Sequence, residues 1–180
     1  MTRTQLEHLI RAAAVIADDD ELVIIGSQAI LGQFPHAPDV LLVSVEADLY
    51  PKNHPERADL IDGTIGELSP FHDTFGYYAQ GVGESTAVLP AGWQERLVPI
   101  RNDNTRQATG WCLEAHDLVL SKYVPRRDKD VRFVRDAIAH RLVDPDMLRA
   151  RVHLLPLPSE RIAGIAMLIE ADVQHLQRGN

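Results

Sequence analysis

The stretch Leu22–Pro51, L-V-I-I-G-S-Q-A-I-L-G-Q-F-P-H-A-P-D-V-L-L-V-S-V-E-A-D-L-Y-P, decides how the chain is read. The apolar run Leu22–Ile25 predicts a buried strand, Gly26 a tight turn, and Ser27 the start of a short helix. A proline-bounded loop follows. The next apolar run, Val40–Val45, predicts a second strand that runs into Glu46 and Asp48.

A helix opening on Gly26 and Ser27 presents unpaired backbone N–H groups and the positive end of its dipole, an environment suited to phosphate. The Ser27 hydroxyl is placed either to cap the helix or to bond the ligand. Successive side chains of a strand alternate faces, so Glu46 and Asp48 project to one side and Ala47 to the other. Two carboxylates side by side call for a cation, and Mg²⁺ takes one or two carboxylates together with substrate phosphate oxygens. The stretch therefore predicts a phosphate cradle followed by a metal clamp, which a nucleoside triphosphate would complete.

A second segment, Leu113–Val134 (L-E-A-H-D-L-V-L-S-K-Y-V-P-R-R-D-K-D-V-R-F-V), places Lys122 on a helix closed by Pro125, then Arg127, then Asp130 in the first turn of another helix. The G-S turn, the short helix and the acidic-x-Asp pair resemble the nucleotidyltransferase superfamily that includes DNA polymerase β, in a minimal form. Lys122, Arg127 and Asp130 sharpen the likeness to the abortive-infection-type nucleotidyltransferase toxins of bacterial toxin–antitoxin pairs.

The resemblance implies metal-assisted transfer of a nucleotide from a nucleoside triphosphate. Glu46 and Asp48 would hold Mg²⁺ or Mn²⁺, Gly26 and Ser27 would grip the outer phosphates, and Lys122 would add a fixed positive charge. Asp130 would either polarise the acceptor hydroxyl or hold Lys122. The acceptor is an RNA 3′ end or a protein hydroxyl, and a cognate antitoxin is an implied partner. The family pair is usually Asp-x-Asp, whereas this chain carries Glu46 first. The family also adds a third carboxylate on a neighbouring strand. Asp73, Glu84, Glu95 and Asp103 all stand near expected strand ends, and no pattern singles one out. The competing reading is a non-catalytic nucleotide- or partner-binding module with a degraded site.

With 180 residues, 45% of them hydrophobic, the chain suits one domain or one domain with a helical appendix. The expected fold class is α+β: a mixed sheet with packed helices over residues 1–114, then a helical portion over residues 115–180. A formal charge of -8 argues against indiscriminate nucleic-acid binding. Positive charge is nevertheless concentrated in Lys122, Arg126, Arg127, Lys129, Arg132, Arg135 and Arg141, a basic stripe suited to landing RNA. The lone Cys112 allows no internal disulfide and reads as a buried thiol. No apolar run is long enough to cross a bilayer, so a cytoplasmic protein is expected.

Scattered histidines give no zinc spacing, and G-x-S-x-G, Walker and dinucleotide fingerprints are absent. Ahead of the first decisive segment, a packing helix is expected over Thr4–Ala17, capped by Thr4 or Thr2, followed by a solvated acidic loop at Asp18–Glu21. Lys52, Asn53 and His54 read as a surface loop within reach of the metal. A glycine-interrupted helix is expected over Glu56–Leu68. Phe75–Val82, Ala87–Leu89, Arg96–Arg101 and Thr109–Leu113 read as strands, and helices are expected over Lys129–His140, from Asp144, and over Ser159–Gln177.

Overall fold

The structure, a computed structural model, describes residues 1–178. The chain divides into two compact units. One comprises Met1–Thr86 and Leu97–Glu114, the other Ala87–Arg96 and Ala115–Asn180. Residues 179 and 180 of the expected helical portion lie outside the described residues. The fold is α+β, with a five-stranded mixed sheet and packed helices.

In the first unit, α1 (Arg3–Ala17) starts at Thr2, which closes a capping box with Gln5, and ends at Asp18 in the left-handed conformation. It leads into β1 (Glu21–Ile24), a turn of 3₁₀ helix at Ser27–Ala29, and α2 (Ile30–Gln33). β2 (Glu46–Pro51), α3 (Ala58–Ile65), α4 (Pro70–Phe75), β3 (Tyr78–Gly81), β4 (Val98–Ile100) and β5 (Thr109–Cys112) complete it. The sheet order is β3-β2-β1-β5-β4, with β1 parallel to β5, β2 parallel to β3, and the other two pairings antiparallel.

Alternation gives the sheet two chemically distinct faces. Leu22, Ile24, Leu49 and Cys112 lie on the face that meets α1, where a Cβ built on Gly110 would stand 2.4 Å from Ile10 Cδ1. A glycine there lets helix and sheet close up, and Leu6, Leu9, Ile10 and Ala13 are fully buried. Glu46, Asp48 and Tyr50, with Tyr78 and Gln80 beside them on β3, share the opposite face.

The strand expected at Val40–Val45 is a one-turn 3₁₀ helix, Asp39–Leu41, followed by irregular chain. Only Leu41 is buried, while Val40, Val43 and Val45 are exposed. The terminal amine of Met1 donates to the Leu42 and Ser44 carbonyls, the latter at 2.9 Å. The strand starts instead at Glu46, which places both carboxylates within the sheet.

Other expected elements shift for local reasons. The helix expected over Glu56–Leu68 stops at Gly66, where a Cβ would lie 2.1 Å from the Asp62 carbonyl oxygen. The aromatic stretch from Phe75 is split: Ser69 caps α4, Gly76 ends it at φ 73°, and only Tyr78–Gly81 is strand. Ala87–Leu89 forms no strand.

The acidic loop after α1 is not simply solvated. Asp19 is buried, and its carboxylate accepts from the backbone N–H groups of Glu21 (3.0 Å), Asn53 (2.8 Å) and His54 (3.1 Å), and from Asn53 Nδ2 (2.9 Å). Burial pushes its pKa upward, but the four hydrogen bonds more than offset this and hold it below the usual value. Asn53 and His54 thus pin the loop after β2 to the start of β1. Lys52 pairs with Glu21 at 2.8 Å and lies over the Trp111 ring.

The second unit consists of α5 (Ala115–Tyr123), α6 (Asp128–Ala139), α7 (Pro145–Arg151) and α8 (Ser159–Arg178), with Ala87–Arg96 added to it. Two fully buried carboxylates organise it. Asp117 takes Arg96 Nε at 2.7 Å and Arg151 Nη1 at 3.2 Å, and Asp172 takes Arg126 Nη1 at 3.1 Å and Arg135 Nε at 2.8 Å. Together with the Ala91 N–H bond to the Leu154 carbonyl (2.8 Å), Arg96 ties the 87–96 segment to the helices. No helix among the described residues is long and apolar enough to cross a membrane.

Candidate active site

β1 ends at Ile24, and the Ile25 N–H donates to the Asp48 carbonyl at 3.0 Å, bringing the turn alongside β2. Gly26 is extended (φ -80°, ψ -175°), so its glycine identity answers to space and not to a left-handed turn. A Cβ built on it would lie 1.9 Å from Asp48 Oδ2 and 2.7 Å from Asp48 Cγ. The carboxylate of Asp48 occupies the volume that any other side chain at position 26 would fill.

Gly26, not Ser27, takes the cap position of the following turn, and no side chain caps it. The capping role open to Ser27 is therefore not realised. Its hydroxyl is half-buried and makes no hydrogen bond among the described residues. Gln28 beside it is fully buried with neither amide atom bonded.

Glu46 lies two residues before Asp48 on the same face, as the alternation requires. Its Oε2 accepts from the Tyr78 hydroxyl at 3.0 Å. Burial and, secondarily, the neighbouring carboxylate push the Tyr78 phenol up to about 12, so it stays a donor near neutral pH. In register, Glu46 stands opposite Tyr78 and Asp48 opposite Gln80. Among the described residues, no group of three or more His, Cys, Asp or Glu side chains is placed to share an ion.

This donor set fits a hard divalent cation that keeps open positions. Two carboxylates project from adjacent same-face positions of one strand, beside a glycine that leaves room for Asp48, and a bound substrate would supply the remaining oxygens. A closed protein cage for Ca²⁺ or a thiolate site for zinc is not built here. Cys112 is fully buried, and burial pushes its thiol up to about 12.

In the helical unit, Asp130 is 1% exposed in the first turn of α6. Its Oδ2 accepts from the Arg127 backbone N–H at 3.1 Å and from Arg127 Nε at 2.9 Å, and its Oδ1 lies 3.6 Å from Lys122 Nζ. Burial alone raises its pKa, but the Arg127 bonds and the Lys122 charge hold it below the usual carboxylate range. Lys122 also stands 4.9 Å from the centre of the Phe133 ring, so its ammonium is held from two sides.

The basic stripe is partly consumed within the unit. Arg126 and Arg135 grip Asp172, and Arg127 and Lys122 grip Asp130. Lys129, Arg132 and Arg141 remain as exposed cations of the stripe. The same unit holds an open cleft of about 660 Å³ with a mixed lining that includes His116, Ile138, Arg141, Leu142, Asp144 and Val173, and neither Lys122 nor Asp130 lines it.

Tyr78 and Gln80 escape a reading of the sequence by motif. The signal that finds them is register: once β3 is paired in parallel with β2, positions 78 and 80 share the face of 46 and 48. Asp172 carries no such signal, because it stands inside an amphipathic helix far along the chain from its two arginines.

Residues 4–161 match a family model described as "Nucleotidyltransferase of unknown function (DUF6036)". No curated protein and no solved structure matches the chain.

Proposed function

This chain belongs to the DUF6036 nucleotidyltransferases, and from that premise we propose that it transfers a nucleotide from a nucleoside triphosphate to an acceptor hydroxyl in a reaction that depends on Mg²⁺ or Mn²⁺. The observation that carries this reading is the seating of the Asp48 carboxylate against Gly26, with Glu46 on the same strand face. The turn that would take phosphate and the carboxylate that would hold the ion thus lie side by side.

Glu46 and Asp48 hold the ion. When bound, it neutralises charge on the triphosphate and at the reacting phosphorus. The backbone N–H groups after Gly26 and the Ser27 hydroxyl take phosphate oxygens, which the unengaged state of that hydroxyl supports. Within the helical unit, Asp130 holds Lys122. The 1% exposure of Asp130 favours this role over contact with an acceptor. The protein's part is positioning and electrostatics, as in phosphoryl transfer generally.

The acceptor we favour is an RNA 3′ end, supported by exposed Lys129, Arg132 and Arg141, and the biological setting is that of a toxin held by an antitoxin. Incubation with labelled nucleoside triphosphates and pooled cellular RNA and protein tests the activity. Metal-dependent labelling that is lost in Asp48→Ala is expected, and wild type indistinguishable from that variant would reject transfer.

Gln80 opposite Asp48 favours a second reading, a nucleotide-binding module without turnover. Stabilisation against heat by triphosphate plus metal, with no transfer to any acceptor, would select it, since a ligand that binds only the native state raises apparent stability.

A further inference from the structure

We propose that Tyr78 is a positioning residue for the metal clamp, its hydroxyl fixing the rotamer of Glu46 so that a glutamate serves where the family pattern has an aspartate. This rests on the metal-dependent reading of the site given above. Glutamate has one more rotatable bond than aspartate, and a ligand that must be ordered when the ion arrives binds it more weakly. The 3.0 Å hydrogen bond from Tyr78 supplies that order in advance. It engages Oε2, and no hydrogen bond among the described residues takes Oε1.

Tyr78 is itself held. It is 8% exposed, stands directly opposite Glu46 in the β2–β3 register, and meets the His72 ring at 4.6 Å between centroids. His72 lies in α4, where Ser69 Oγ accepts its backbone N–H at 3.2 Å. Its Nδ1 accepts the Leu68 N–H at 3.1 Å, which leaves the ring proton on Nε2. Leu68 has a left-handed φ of 60° and is 83% exposed, so its side chain gains little from the fold. What that strained residue contributes is the N–H that orients His72. A line of contacts thus runs from Leu68 through His72 and Tyr78 to Glu46.

The test is Mn²⁺ affinity of the full chain, followed by electron paramagnetic resonance with and without a non-hydrolysable nucleoside triphosphate. Tyr78→Phe keeps the ring and its packing and removes only the hydroxyl. Its Mn²⁺ affinity should fall about tenfold, the lower end of what losing a metal ligand's supporting hydrogen bond costs, with an unchanged circular dichroism spectrum. Glu46→Asp draws the carboxylate back from the hydroxyl, so adding Tyr78→Phe to it should cost nothing further. An equal loss in both backgrounds would mean that the Tyr78 hydroxyl acts by a route other than Glu46, and the proposal fails. Wild-type affinity in Tyr78→Phe, with binding lost in Asp48→Ala, overturns the role of Tyr78 and leaves the metal site standing. Equal Mn²⁺ binding by wild type and Asp48→Ala removes the metal site and the Tyr78 proposal together.

Discussion

Asp48 and Gly26 share one volume: the carboxylate of the first fills the space where a β-carbon of the second would be, at 1.9 Å from Oδ2. Gly26→Ala must therefore rotate Asp48 out of its seat. Because displacement of a reacting group by about 1 Å costs on the order of 10²-fold in rate, transfer should fall at least that far. Overpacking should cost about 1–3 kcal/mol of stability. Steady-state transfer and urea unfolding of the same variant check both, and a fully active alanine variant would show that Asp48 is not held by this contact.

Gln80 stands in register with Asp48 where a third acidic ligand would complete the clamp. Gln80→Asp should tighten Mn²⁺ binding several-fold, since affinity of such sites rises with ligand charge. Isothermal titration with Mn²⁺ reads the change, and weaker binding would mean that position 80 does not face the ion.

Asp172 is fully buried between Arg126 and Arg135, whose side chains keep 23% and 39% of their exposure. Removing a buried partner leaves charge without compensation, so Asp172→Ala should cost about 3 kcal/mol, near the low end for such pairs because both guanidinium groups reach water. Thermal and urea midpoints measure it. A loss of unfolding free energy below about 1 kcal/mol, the range of exposed ion pairs, would show the lock to be superficial.

Asp19 has a folded pKa below its unfolded value, held there by the four donors that outweigh its burial. Its contribution is fully present above the unfolded value of about 4 and is lost as pH falls through the folded value, because the unfolded chain then binds more protons. Asp19→Asn should be less stable than wild type by about 1–3 kcal/mol at pH 7, with the difference shrinking below pH 4. A pH-independent difference in urea unfolding would contradict this.

Lys129 and Arg132 are the exposed cations at the start of α6, whereas Arg135 is committed to Asp172. If they contact RNA phosphates, the double variant Lys129→Glu, Arg132→Glu should bind RNA more weakly. Each lost contact should lower the salt dependence of log K by about 0.7–0.9. Fluorescence anisotropy across a salt series measures this, and an unchanged slope moves the RNA surface elsewhere.

The local geometry around Gly26, Glu46 and Asp48 was legible in the sequence because it is local: a glycine after an apolar strand, and two acids at alternating positions, follow from periods of two and a turn. The start of β2 was not. Val40–Val45 has strand composition, yet the Pro38 carbonyl and the Met1 amine engage its backbone, and this tertiary contact from the first residue overrides the propensity. The true strand, E-A-D-L-Y-P, looks poor by composition and is held by two neighbours. Asp19 looked solvated because three of its four donors, on Asn53 and His54, lie more than thirty residues away. The basic stripe looked continuous because Asp172, which removes two of its members, is distant in sequence.

The excursion of Ala87–Arg96 has a consequence for ancestry and engineering alike. Since Arg96 is clasped by Asp117 and Trp93 is buried, this decapeptide travels with the helices although it is encoded within the sheet-bearing half. The two bodies are stitched along the polypeptide, not strung one after the other. A break at Glu114 would orphan that insert, so neither half is a cassette that recombination or simple truncation can lift out whole.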